Sequence, residues 1–107
     1  MFKLDLKIRT DGFSYKGTIM VSPYKLIKTF GEPSEDDRYK VSGKYCFVGS
    51  LGGLTLYEYK STSYYNPNYP TPKQFWSYKR KHIFFIGALD FEHIEGFDKW
   101  LEEQVNG

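Results

Sequence analysis

The chain has 107 residues, with hydrophobic residues at 40%, charged residues at 26% and a formal net charge of only +2. That length is one domain, read as 1–107, and that balance excludes disordered and collagen-like chains. It also argues against a nucleic-acid binder, whose basic excess is larger.

Aromatic residues reach 20%, with Tyr 10, Phe 9 and Trp 2. Each packed ring buries roughly 150–250 Å², so a short chain with this many rings can still build a core. No apolar run approaches the roughly 20 residues of a membrane span. The start, Met1-Phe2-Lys3-Leu4-Asp5, alternates and carries an acid, unlike a signal peptide. The single cysteine, Cys46, allows no intrachain disulfide and fits a reducing compartment, so a cytoplasmic location is expected.

Phe2, Leu4, Leu6 and Ile8 alternate with charged residues as far as Arg9, the period of a half-buried strand. Asp11-Gly12 is a turn dipeptide, so Tyr15 to Val21 is expected to complete a hairpin with that strand. Ser22-Pro23 opens a helix: the hydroxyl accepts from a free backbone N–H, and proline suits the first helical position. Leu26, Ile27 and Phe30 form its apolar face, and Gly31 and Pro33 end it.

An acidic loop follows, with Glu32, Glu35, Asp36 and Asp37. Tyr39, Val41, Tyr45 and Phe47 read as a strand with a bulge at Gly43. Gly49 to Gly53 is a turn, and Leu54 to Lys60 is the antiparallel partner, with Leu54 and Leu56 on one face and Thr55, Tyr57 and Tyr59 on the other. Ser61 to Gln74 holds Pro67, Pro70 and Pro72 and three tyrosines, which forbids a central strand and describes a loop packed on something. Thr71-Pro72 starts a short helix carrying Phe75 and Trp76. His82 to Leu89 is apolar on both faces, as in a strand covered on two sides. Asp90 caps a last helical segment with Phe91, Ile94, Phe97, Leu101 and Val105 on one stripe, divided at Gly96. The fold class is therefore α+β: about five strands in a mostly antiparallel sheet, with a short early helix and a C-terminal helix packed on it.

The chain offers little for catalysis. His82 beside Lys79-Arg80-Lys81 is a candidate acid–base group, or a surface histidine at a strand end; His93 is a weaker candidate. Cys46, between Tyr45 and Phe47, is a nucleophile only if a base adjoins it, and otherwise a buried thiol. Asp36-Asp37 and Asp90-x-Glu92-His93 match no recognised metal spacing, and Gly49 to Gly53 lacks the lysine of a phosphate loop, so no metal or cofactor is expected.

The tyrosines are the enriched feature. Tyr57, Tyr59, Tyr64, Tyr65 and Tyr69 crowd one stretch around Lys60, and tyrosine lends contact area with little conformational freedom to lose. These residues, with Lys79, Arg80 and Lys81 supplying positive charge, are the expected binding residues. The alternative is that Tyr57 and Tyr59 pack beneath the final helix and that the basic run is a solvated loop. The partner is either a protein or a small nucleotide ligand, the latter stacking on tyrosine with lysine or arginine on phosphate, often across an oligomer interface.

Several short segments, in order, carry a resemblance. Gly17-Thr18-Ile19-Met20-Val21-Ser22, Phe30-Gly31-Glu32-Pro33, Tyr39-Lys40-Val41, Thr55-Leu56-Tyr57-Glu58-Tyr59-Lys60 and Phe84-Phe85-Ile86-Gly87-Ala88 resemble the FGEP, YKV, T-hydrophobic-YDYK and WHIGG order of small bacteriophage and large-DNA-virus proteins. The resemblance spans residues 17–88 and implies a virus-encoded protein in the host cytoplasm, but no activity. The tryptophan and histidine of that closing motif fall on Phe84 and Phe85, and the long Pro/Tyr/Asn loop and the acidic final helix look like additions; together these departures favour binding over catalysis. The expectation is a non-enzymatic host-takeover or counter-defence factor that occupies a host protein or a nucleotide. The rival readings are a small hydrolase using His82 or Cys46, and a minor virion or scaffold component.

Overall fold

A computed structural model of the chain describes residues 1–35 and 38–107. Asp36 and Asp37, half of the acidic loop, lie outside the described residues. Five strands form one antiparallel sheet: β1 (Lys3–Leu4), β2 (Ser14–Val21), β3 (Lys44–Val48), β4 (Gly53–Tyr57) and β5 (His82–Ala88), in the order β1-β3-β4-β5-β2. Helix α1 (Pro23–Phe30), the single-turn α2 (Pro72–Phe75) and α3 (Phe97–Asn106) pack on one face. The α+β architecture follows the sequence pattern.

Local chemistry sets the helix ends. Ser22 Oγ accepts from Lys25 N–H at 3.2 Å, Pro23 opens α1, and Gly31 closes it at φ 85°, a conformation that glycine enters without a Cβ clash. Thr71 and Gln74 form a reciprocal capping box on α2. Asp90 caps only a 3-10 turn, Phe91–Ile94. Gly96, at φ 78°, then redirects the chain into α3, so Phe91 leaves the expected stripe and stands exposed.

The core lies between this sheet face and the helices. Tyr45, Phe47, Leu54, Leu56, Phe84 and Ala88 point into it from the strands, and Leu26, Phe97 and Leu101 from the helices, all fully buried. Phe47 is its centre, with the rings of Phe30 and Phe97 at 5.1 and 5.2 Å. Edge-to-face and offset ring packing of this kind adds about 0.5–1.5 kcal/mol per pair beyond area burial.

The expected first hairpin does not form. The Asp5 side chain accepts from Lys7 N–H at 3.0 Å, a local turn that stops the strand after β1. Residues 5–13 then cross the helix-free face, where the Ile8 and Phe13 side chains lie over Gly53. The chain thereby reaches the opposite edge, and β2 pairs with β5 instead of β1.

The strand expected from Tyr39 begins only at Lys44. Ser42 turns its backbone N–H to the Glu58 carboxylate, and Gly43 is no bulge but a close approach, where a Cβ would meet Pro33 at 2.8 Å and Trp76 at 2.9 Å. Its partner ends at Tyr57, because Glu58 turns inward and Lys60 takes φ 59° with its N–H on Lys40 C=O at 2.6 Å. β5 is covered by helices on one side only: Ile83, 38% exposed, and Phe85 face away from them.

Candidate functional site: an aromatic strip on the helix-free face

Strand alternation decides which rings reach the helix-free face. Leu54 and Leu56 enter the core, so Tyr57 points the other way. Register then sets Tyr57 opposite Phe85, and Phe85 opposite Thr18 of β2. The rings of Tyr57 and Phe85 stack at 6.0 Å with 26° between planes. Tyr15 adds to Phe85 at 6.0 Å from the β2 side, and Tyr59 closes on Phe85 at 5.6 Å and on Tyr57 at 6.4 Å.

The strip continues past the sheet. The Lys60 ammonium lies 5.1 Å from the Tyr59 ring and 5.0 Å from the Tyr65 ring, and Tyr65 meets Tyr39 at 5.7 Å. Six rings and one cation thus run unbroken from the outer strand to the loop after β4. Tyr15 is 59% exposed, Tyr39 53% and Tyr59 36%. Burial, then the neighbouring Tyr59 and Tyr15, hold the Tyr57 hydroxyl above the ordinary tyrosine range, so it is a neutral donor at physiological pH.

A buried carboxylate places the turn that carries Tyr59 and Lys60. Glu58 is fully buried and accepts from the backbone N–H groups of Ser42 and Ser61, while Ser42 Oγ accepts from Trp76 Nε1 at 3.0 Å. A buried polar group of this kind is tolerated only when such donors satisfy it. Lys60, at positive φ without being glycine, is a strained residue held in place by this frame.

Of the expected binding residues, the fold brings together Tyr57, Tyr59, Lys60 and Tyr65. The others stand outside the run of rings. Tyr64 lines a separate cleft with Tyr24 and Trp76. Tyr69 lines a hollow with Lys60, Phe75 and His82, so it adjoins the strip at Lys60 without joining its run of rings. Lys79 lies over the Tyr24 ring at 5.3 Å, and with Lys81 it lines a groove on the helix side, away from the strip; Arg80 is exposed. The basic run therefore does not flank the tyrosines, because β5 carries its N-terminal end past the Tyr57–Phe85 pair. Tyr57 and Tyr59 do not pack beneath α3, which sits on the opposite face.

Tyr15, Tyr39 and Phe85 are strip residues that the sequence reading missed. Tyr15 and Phe85 join through the β2–β5 and β4–β5 registers, and Tyr39 through its contact with Tyr65, none of which a local pattern displays.

His82 and Cys46 form no dyad. The register carries Cys46 through Thr55 to Gly87. At about 3.3 Å per residue, His82 is roughly 16 Å further along β5. Its ring packs on Phe75 at 4.9 Å on the helix side, while Cys46 is buried under the other face. His93 packs against Gly52, and among the described residues its buried Nδ1 has no hydrogen-bond partner. Among the described residues, no group of three or more His, Cys, Asp and Glu could hold a metal ion, and no helix is long and apolar enough to cross a membrane.

The chain matches no protein-family model and no curated protein.

Proposed function

We propose that this is a non-enzymatic binding protein that engages a partner protein through the aromatic strip of Tyr15, Phe85, Tyr57, Tyr59, Tyr65 and Tyr39. The unbroken run of rings carries the reading: Tyr15, Tyr39, Tyr59 and Tyr65 are exposed, and Tyr57 and Phe85 are half-buried between them. Rings held by one another lose little freedom on binding, and tyrosine and other aromatics are enriched where interfaces concentrate their energy. Tyr15 and Tyr57 line a hollow of about 220 Å³ that is open to solvent, and the strip extends beyond it to Tyr59, Tyr65 and Tyr39, a spread that suits a protein surface better than a small molecule, which needs enclosure.

The resemblance of residues 17–88 to small virus proteins supports a host protein as the partner, and host takeover or counter-defence in the host cytoplasm as the role. The test is capture from infected host lysate with the wild-type chain and with a Tyr59→Ala, Phe85→Ala double variant. A host protein retained by the wild type and lost by the variant is expected; equal retention by both overturns the reading.

Lys60, held between Tyr59 and Tyr65, supports a second reading in which the strip stacks a nucleotide and the ammonium meets its phosphate. Affinity that falls steeply with added salt marks this second mode, because phosphate contacts are screened and ring contacts are not.

A further inference from the structure

β2 is an outer strand. It pairs with β5 on one side, and among the described residues no strand pairs with its other side. An open edge displays backbone N–H and C=O groups that can template a further strand. The first half of β2 is ill suited to this, because the register shifts between Tyr15 and Gly17, where Lys16 sits. The second half, Thr18 to Val21, is regular.

A groove of about 230 Å³ runs beside that regular half, between β2 and α3. Ile19, Val21, Leu101 and Val105 make its floor. Asp98, Glu102 and Asn106, at i, i+4 and i+8, follow one wall of α3. Asn106 accepts from Lys25 Nζ at 2.9 Å, which puts the end of α3 at the Lys25 end of the groove. Lys79 and Lys81, just before β5, line the same groove, and register pairs the first residue of β5, His82, with Val21. Among the described residues none of these three lysines forms an ion pair. The groove is therefore apolar along its floor and basic at the Ser22 end, with its two carboxylates displaced toward the other end.

We infer that the Thr18–Val21 edge and this groove form a second binding site, which takes an extended peptide segment of another protein as a sixth strand. The peptide backbone pairs with β2. Alternate apolar side chains enter the groove, and an acidic residue or a chain-terminal carboxylate meets Lys25, Lys79 and Lys81. Strand addition of this kind draws affinity from main-chain hydrogen bonds and selectivity from the pockets that receive alternate side chains. The site stands on the edge and the groove alone and does not depend on the aromatic strip.

The probe is an acetylated octapeptide of alternating threonine and valine that ends in aspartate with a free carboxylate, followed by amide NMR and hydrogen exchange on the whole chain. Saturable shifts and slowed exchange at Thr18 to Val21 are expected. Two further peptides, N-methylated at the odd or at the even positions, separate strand pairing from side-chain contact, because only one alternate set of peptide N–H groups faces β2. One of them should bind at least tenfold more weakly and the other like the parent. Lys79→Ala with Lys81→Ala should weaken the parent peptide about tenfold, and Tyr59→Ala should leave it unchanged.

Equal binding by both methylated peptides, or shifts confined to the strip, overturns the inference. So does the lack of saturable shifts up to about 5 mM peptide, where even a millimolar site is largely filled. Concentration-dependent protection of Thr18 to Val21 without peptide would assign the edge to a second copy of the chain and also overturns it.

Discussion

The Glu58 carboxylate accepts from Ser61 N–H at 3.1 Å and, with its other oxygen, from the backbone N–H of Ser42, so one buried side chain ties the segment before β3 to the turn after β4. This clamp holds the backbone from which Tyr59 and Lys60 reach the surface. Glu58→Ala leaves both N–H groups unpaired, at about 1–3 kcal/mol each, so a loss of about 2–6 kcal/mol is expected in urea denaturation. Glu58→Gln keeps the shape but turns an NH₂ toward one donor, and it should lose less.

The strip makes the opposite prediction. Tyr59 is 36% exposed, and its ring contacts are with other strip residues. Tyr59→Ala should change stability by no more than about 1 kcal/mol while weakening the partner by about 2 kcal/mol or more, measured by calorimetry on the isolated complex. Equal losses in stability and binding would make it a structural residue.

Gly43 is required by space rather than by backbone conformation. A Cβ there would sit 2.8 Å from Pro33 Cγ and 2.9 Å from Trp76 Cζ2, both in rigid rings. Gly43→Ala should destabilise by about 1–3 kcal/mol, the usual cost of overpacking, with a matching fall in thermal midpoint. Gly17, where an added Cβ meets open space, is the control and should tolerate alanine far better.

Alkaline pH should unfold the protein through its buried phenol. Burial, then the charge of Glu32, holds the Tyr45 hydroxyl well above the ordinary tyrosine range, and it donates to Gly31 C=O at 2.6 Å. A group whose folded pKa is raised gives its full stabilisation below the unfolded value, here about 10, and loses it as pH climbs toward the folded value. Stability should therefore fall progressively above about pH 10, as the unfolded chain releases the proton first. Tyr45→Phe should flatten this fall while lowering stability at neutral pH through the lost hydrogen bond.

Much of this protein was determined by short-range patterns. Ser22, Pro23 and Gly31 specify α1 by caps that act within one turn, and Thr71-Pro72 and Gly96 do the same for α2 and for the break before α3. Alternation at Leu54 to Tyr57 separates core from surface without knowledge of any partner strand. The tyrosine-rich stretch also announces itself, because enrichment needs only counting.

What the tertiary structure decided is which elements meet. Alternation from Phe2 to Arg9 promises a strand, but the local turn at Asp5 and the packing of the half-buried Ile8 and Phe13 over Gly53 take the chain across the sheet. That crossing gives β2 to β5 and leaves β2 with an open edge. Tyr15 and Phe85, separated by most of the chain, become neighbours only through that pairing. Lys79 and Lys81 join Lys25 in a groove instead of the tyrosines for the same reason. Pairing and register are settled by the total burial that a sheet can achieve, a quantity that belongs to no single segment.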